Sequence, residues 1–110
     1  MQDKIKIRES ETFVVLDLPE HMVKTGQDVY LRTKLLDVIE KQKNVAVNLS
    51  KTAFINSGIV TVFLAAEKLV QKYGKRLFLI HPSEQAMELF TVTSVNRIIT
   101  ILDNEKDIPA

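Results

Sequence analysis

The spacing of apolar and polar side chains changes along the chain, and each change marks an element. Lys4-Ile5-Lys6-Ile7-Arg8 alternates strictly, as an edge strand with one buried face does. Phe13-Val14-Val15-Leu16-Asp17-Leu18 is aromatic and β-branched and is closed by Pro19, so the polar gap from Glu9 to Thr12 predicts a hairpin. The period then lengthens. Leu31, Leu35, Val38 and Ile39 share one helical stripe, with Lys34, Asp37, Glu40 and Lys41 largely off it. Thr25 and Asp28 approximate a capping box at the start of this helix.

Asn44-Val45-Ala46-Val47-Asn48-Leu49 and Arg76-Leu77-Phe78-Leu79-Ile80 are apolar without alternation, the pattern of strands covered on both faces of a parallel sheet. Between them a helix runs from about Ser57 to Tyr73. Its stripe is Ile59, Val62, Phe63, Ala66, Leu69, Val70 and Tyr73, and Gly74 stands at the C′ position. Strand, helix and strand of this length form a right-handed crossover. Ser83 caps a third helix, with Glu84 in its first turn and Ala86, Met87, Leu89 and Phe90 on its apolar side. Ile98 to Leu102 reads as the last strand, and Asp103 to Ile108 as a turn or short helix. The order β-β-α-β-α-β-α-β(-α) predicts an α/β fold with a mixed, mostly parallel five-stranded sheet packed with three to four helices.

Composition narrows the function. The chain of 110 residues reads as a single domain spanning 1–110, and 45% hydrophobic content supports a folded core. Cysteine is absent, which excludes disulfides, thiolate metal sites and cysteine nucleophiles. Met1 to Lys6 carries charges where a signal peptide needs an apolar run. No apolar stretch approaches the ~20 residues that span a bilayer. A cytoplasmic protein without membrane insertion is expected. The net charge of +1, without a basic run, gives no reason to expect nucleic acid. Lys72, Lys75 and Arg76 form the one local concentration and read as a solvated turn. His21 and His81 have no companions at metal-ligand spacing and belong to no catalytic signature. Gly74-Lys75 lacks the other glycines of a phosphate-binding loop. Neither a metal, a cofactor nor an enzyme activity is expected.

The richest segment is Leu49 to Ala66, where a strand passes through a polar loop and Asn56-Ser57-Gly58 opens an apolar helix. A phosphate there would meet unpaired N–H groups and the positive end of the helix dipole. Two readings of Ser57 stand side by side. It can be a plain N-cap, a task Asn56 could equally perform, or it can be a phosphoacceptor. Val60 and Leu64, an i, i+4 pair flanked by Thr61 and Ala65, either widen the buried stripe or form an exposed apolar patch for a partner.

The element order resembles the STAS fold of the anti-sigma factor antagonists over nearly the whole chain. Val45 to Phe54 is similar to that family's strand and loop, Thr91 to Ile98 to the stretch after its third helix, and Ile101 to Glu105 to its final strand. Leu18-Pro19-Glu20 shares only Glu20 with the family's glycine-glutamate-leucine-aspartate. The family's signature loop reads aspartate-serine-serine/threonine-glycine, with the second hydroxyl residue phosphorylated. Asn56-Ser57-Gly58 is one residue short of it. Ungapped alignment puts Gly58 at the acceptor position, whereas aligning the glycines makes Ser57 the acceptor. The resemblance implies a regulator that binds an anti-sigma factor/serine-protein kinase and releases a sigma factor, controlled by phosphorylation of Ser57, with Val60, Thr61 and Leu64 as partner contacts. The alternative is a constitutive, non-phosphorylated STAS interaction module, within a signalling complex or as a transporter accessory. Oligomeric state is not legible.

Overall fold

In the computed structural model, which describes residues 4–109, strands β1 (Lys6–Glu9) and β2 (Phe13–Asp17) form the expected hairpin. The buried face expected of Lys4 to Arg8 is not there: β1 is exposed along its length, Ile7 included, because neither core cluster reaches it, and Ile5 is buried just before the strand. Met1 to Asp3, part of the charged start, and Ala110 lie outside the described residues. Strand β3 (His21–Met22) and helix α1 (Gln27–Ile39) follow, then β4 (Asn44–Asn48), β5 (Phe54–Ile55) and helix α2 (Ser57–Val70). Strand β6 (Leu77–Ile80), helix α3 (Glu84–Val92) and strand β7 (Thr100–Leu102) complete the order. The main sheet has five strands in the order β1-β2-β4-β6-β7, parallel except for β1.

Register separates the two faces of this sheet. Val14 and Leu16 of β2, Val45 and Val47 of β4, and Leu77 and Leu79 of β6 point toward the helices. There they meet Leu31, Leu35 and Val38 of α1, Ile59, Phe63 and Val70 of α2, and Ala86 and Phe90 of α3. Phe63 and Phe90 pack edge to face, 6.3 Å between centroids. The alternate residues Val15, Ala46, Phe78 and Ile80 form a smaller cluster on the opposite face, with Ile108 packed among them. This explains why β4 and β6 show no alternation: both faces are buried, the second by far less protein than the first.

The turn before Ile108 is tied down through Arg8, whose guanidinium donates to both carboxylate oxygens of Asp17 at 2.7 and 2.9 Å and to both of Glu105 at 2.8 and 3.2 Å. The Arg8 fork, with help from Asn48 Nδ2, holds the Asp17 carboxyl below the usual carboxylate range.

Several local expectations differ from the fold. The helix after Thr25 has no capping box: Gly26 holds the N-cap position with φ 89° and no side chain caps it. Gln27 ties the preceding loop to the helix start, its Oε1 accepting from Lys24 N–H at 2.8 Å and its Nε2 donating to the His21 carbonyl at 3.0 Å. A left-handed N-cap suits glycine, which explains why the threonine one residue earlier is not used. The last strand begins at Thr100, because the N–H groups of Ile98 and Ile99 bond back to the Val95 carbonyl in a 3-10 turn. Tyr73 leaves the helical stripe since Gln71–Tyr73 also tightens to 3-10 geometry, and its ring is exposed. Gly74 does end that segment in the left-handed conformation, φ 72°. Arg76, read as part of a solvated turn, donates Nε at 2.7 Å to Glu67. Glu67 is 1% exposed and also accepts from Leu77 N–H and Gln71 Nε2, both at 2.8 Å. A buried carboxylate needs such a set of donors. This one clamps the end of α2 to the start of β6.

Candidate functional site

The loop that carries Ser57 is fixed before it reaches the helix. Thr52 is buried, its hydroxyl within 3.3 Å of the Leu18 carbonyl and 2.8 Å of the Pro19 carbonyl. Ala53 N–H donates to the Glu20 carbonyl at 2.7 Å. Phe54 and Ile55 then pair in parallel with His21 and Met22, a two-residue ladder separate from the main sheet. On its other side Ile55 is held by the amide of Gln85, whose Oε1 accepts from Ile55 N–H at 3.0 Å and whose Nε2 donates to its carbonyl at 2.9 Å. The α3 side chain thus stands in for another strand. Its neighbour Ser83 donates to the Ala53 carbonyl at 2.9 Å.

So anchored, the chain enters α2 through Asn56, which is extended (φ −118°, ψ 176°) and is the N-cap. Its Oδ1 accepts from Ile59 N–H at 3.1 Å and its Nδ2 donates to the Val23 carbonyl at 3.4 Å. Ser57 is therefore the first helical residue and not the cap, which removes the capping reading. Its side chain is exposed, and its hydroxyl bonds to no described residue. At this position helix geometry leaves the N–H groups of Ser57 and Gly58 without intrahelical partners. The first turn of α2 carries no acid, so the partial positive charge of the helix end is not offset from within the helix. A carboxylate comes instead from α1: Asp28 Oδ2 lies 3.8 Å from where a Cβ on Gly58 would sit, and Asn56 Oδ1 lies 3.3 Å from that point.

The three partner candidates separate. Thr61 is exposed on the turn above Ser57 and donates its hydroxyl to the Ser57 carbonyl at 3.1 Å. Leu64 is half-buried against the core. Val60 is 3% exposed and belongs to the core cluster, so it offers nothing to a partner. α2 packs against both α1 and the sheet, and its buried face is wide enough to take in this residue.

The exposed apolar surface beside Ser57 comes from elsewhere. Phe54 is 50% and Val23 46% exposed, both large hydrophobics left in contact with water. The His21 ring stacks on Phe54 at 5.7 Å. The bond from Asn56 Nδ2 to the Val23 carbonyl and the ladder of His21 with Phe54 place all three around the loop. Sequence reasoning missed them because no periodicity runs through two-residue strands. The available signal was two large hydrophobics in segments assigned to no buried face.

Among the described residues no helix is long and apolar enough to cross a membrane. His81 sits exposed just after β6 with φ 51°, its N–H donating to the Leu102 carbonyl at 2.9 Å.

Comparison with known proteins agrees with this geometry. Residues 4–108 match the family model of the STAS domain. The chain is 33% identical over 78 residues to the anti-sigma-B factor antagonist of Bacillus subtilis (strain 168), covering 67% of this chain and 72% of that protein. An anti-sigma-factor antagonist (STAS) domain protein from Planctomyces limnophilus superposes with a TM-score of 0.83 at 13% identity, over 94% of this chain and 92% of that one. The Bacillus cell fate determinant SpoIIAA in its phosphorylated form gives 0.73 at 16% identity, over 94% and 95% of the two chains. These two likenesses speak for the fold, while the family model and the Bacillus relative settle the family: the chain belongs to the STAS-domain anti-sigma factor antagonists.

Proposed function

We propose that this protein binds an anti-sigma factor that is also a serine-protein kinase, thereby releasing a sigma factor, and that phosphorylation of Ser57 by that kinase ends the interaction. The observation that carries this reading is the division of labour at the start of α2. Asn56 supplies the cap, so the Ser57 hydroxyl is exposed, unbonded and next to free N–H groups. A kinase can take that hydroxyl without unmaking the helix. The aligned-glycine register, in which Ser57 is the acceptor, fits this arrangement.

Phosphorylation would add a charge of about −2 at the rim of the patch formed by Val23, Phe54 and His21. A partner that buries Phe54 must then desolvate a dianion, which disfavours the complex without any movement inside the domain. As a regulator of this kind the protein is the kinase's substrate and no enzyme itself, and it works in the cytoplasm.

The test incubates the purified protein with the anti-sigma kinases of its own organism and ATP, maps phosphate by mass spectrometry and measures binding before and after. Phosphate on Ser57 with loss of binding supports the proposal. Binding by a kinase that leaves Ser57 unmodified rejects the switch and makes the domain a constitutive partner.

A further inference from the structure

A second feature lies on the far side of the Ser57 loop, at the carboxyl end of β2. A cleft of about 430 Å³ is lined by Lys4, Lys6, Asp17, Leu18, Pro19, Glu20 and Lys51. It continues into a smaller cavity of about 160 Å³ that shares Asp17, Leu18 and Lys51 and adds Arg8 and Asn48. The volume suits a small molecule. The charges show which kind. Lys6 stands directly across from Asp17 in the β1–β2 register, where opposite charges ordinarily pair. Yet Asp17 gives both its oxygens to Arg8, and one of them also to Asn48. Lys4 and Lys6 are left without a hydrogen bond or ion pair to any described residue, and Lys51 acts on Asp17 through its charge alone, without a hydrogen bond. Among the described residues three ammonium groups thus line one cleft against two carboxylates, Glu20 and the Asp17 already held by Arg8. The excess of positive charge in the cleft favours a small anion.

We infer that this cleft binds a small organic phosphate, its phosphoryl group among Lys4, Lys6 and Lys51 and its apolar body along Leu18 and Pro19. The site is separate from Ser57 but mechanically joined to it. The wall Leu18-Pro19-Glu20 is bonded to Thr52 and Ala53 by the contacts at 3.3, 2.8 and 2.7 Å, and the same segment runs on to Asn56 and Ser57. Lys51 begins it. Occupancy of the cleft therefore bears on the stretch that presents the Ser57 hydroxyl.

The experiment is an amide NMR titration of the full chain with phenyl phosphate at low ionic strength, where screening is weak, with phenol as the uncharged control. Expected are saturable shifts at Lys4, Lys6, Leu18, Glu20 and Lys51 that extend through Thr52 toward Asn56, and none from phenol at the same concentration. The double variant Lys6→Gln/Lys51→Gln is exposed at both positions and should keep the spectrum of the folded protein, while affinity falls about tenfold, the equivalent of ~1.4 kcal/mol. Lys72→Gln/Lys75→Gln should leave affinity unchanged. Equal shifts around Lys72 and Lys75, equal shifts from phenol, or undiminished affinity in Lys6→Gln/Lys51→Gln would each overturn the inference. None of these results depends on whether a kinase modifies Ser57.

Discussion

Helices α2 and α3 both begin where a strand gives way to a polar loop containing serine, yet the two hydroxyls have opposite fates. Ser83 is the N-cap of α3: its Oγ accepts from Ala86 N–H at 3.1 Å and donates to the Ala53 carbonyl at 2.9 Å. Ser57 stands one position later relative to its own helix, behind Asn56, and its hydroxyl holds nothing. One residue of offset decides whether a serine is structural or free for chemistry. The same offset explains why a helix with no acid in its first turn can still be capped.

The contrast can be broken in several ways. The largest effect is expected in phosphate transfer: Ser57→Ala should reduce kinase-dependent labelling to background, whereas Ser83→Ala should label at the wild-type level, both read by mass spectrometry. In stability the order reverses. Ser83→Ala loses the cap and leaves the Ala53 carbonyl without its donor, so urea unfolding should show a loss of about 2 kcal/mol. Asn56→Ala should cost about 1 kcal/mol in the same assay, through the orphaned Ile59 N–H. Ser57→Ala should stay within about 0.5 kcal/mol of wild type, and a loss as large as that of Ser83→Ala would show that Ser57 is structural after all. The smallest effect sharpens the electrostatics. Ser57→Asp should stabilise by no more than ~0.5 kcal/mol, because the gain from the helix end is offset by Asp28, and adding Asp28→Asn should enlarge it.

The parts of this fold that repeat were legible in the chain. Strands β2, β4 and β6 and the stripes Leu31-Leu35-Val38 and Ile59-Phe63-Ala66 are buried as their spacing requires. Ser83 caps and Gly74 terminates as their residue types suggest. What escaped were features set by a single contact. The β3–β5 ladder is two residues long and exists because Thr52, Gln85 and Ser83 pin the loop from both sides. Whether Asn56 or Ser57 capped α2 hinged on that pinning. Val60 could be assigned to the core only once α1 was packed against α2. Glu67 sits on the buried side of its helix, and its burial becomes intelligible only with Arg76 beside it. The position of Ser57 could thus be read from the sequence, but its freedom could not.

Gly58 has a consequence for how this loop can change over generations. A hydroxyl residue there would place a pair of hydroxyls at the start of α2, and it takes only one substitution to introduce. The new Cβ, however, would stand 3.3 Å from Asn56 Oδ1, the oxygen that caps the helix, and 3.8 Å from the Asp28 carboxylate. A second hydroxyl would crowd the cap that keeps the first one unoccupied. A side chain at position 58 therefore calls for compensation at Asn56, and substitution there alone works against the helix cap.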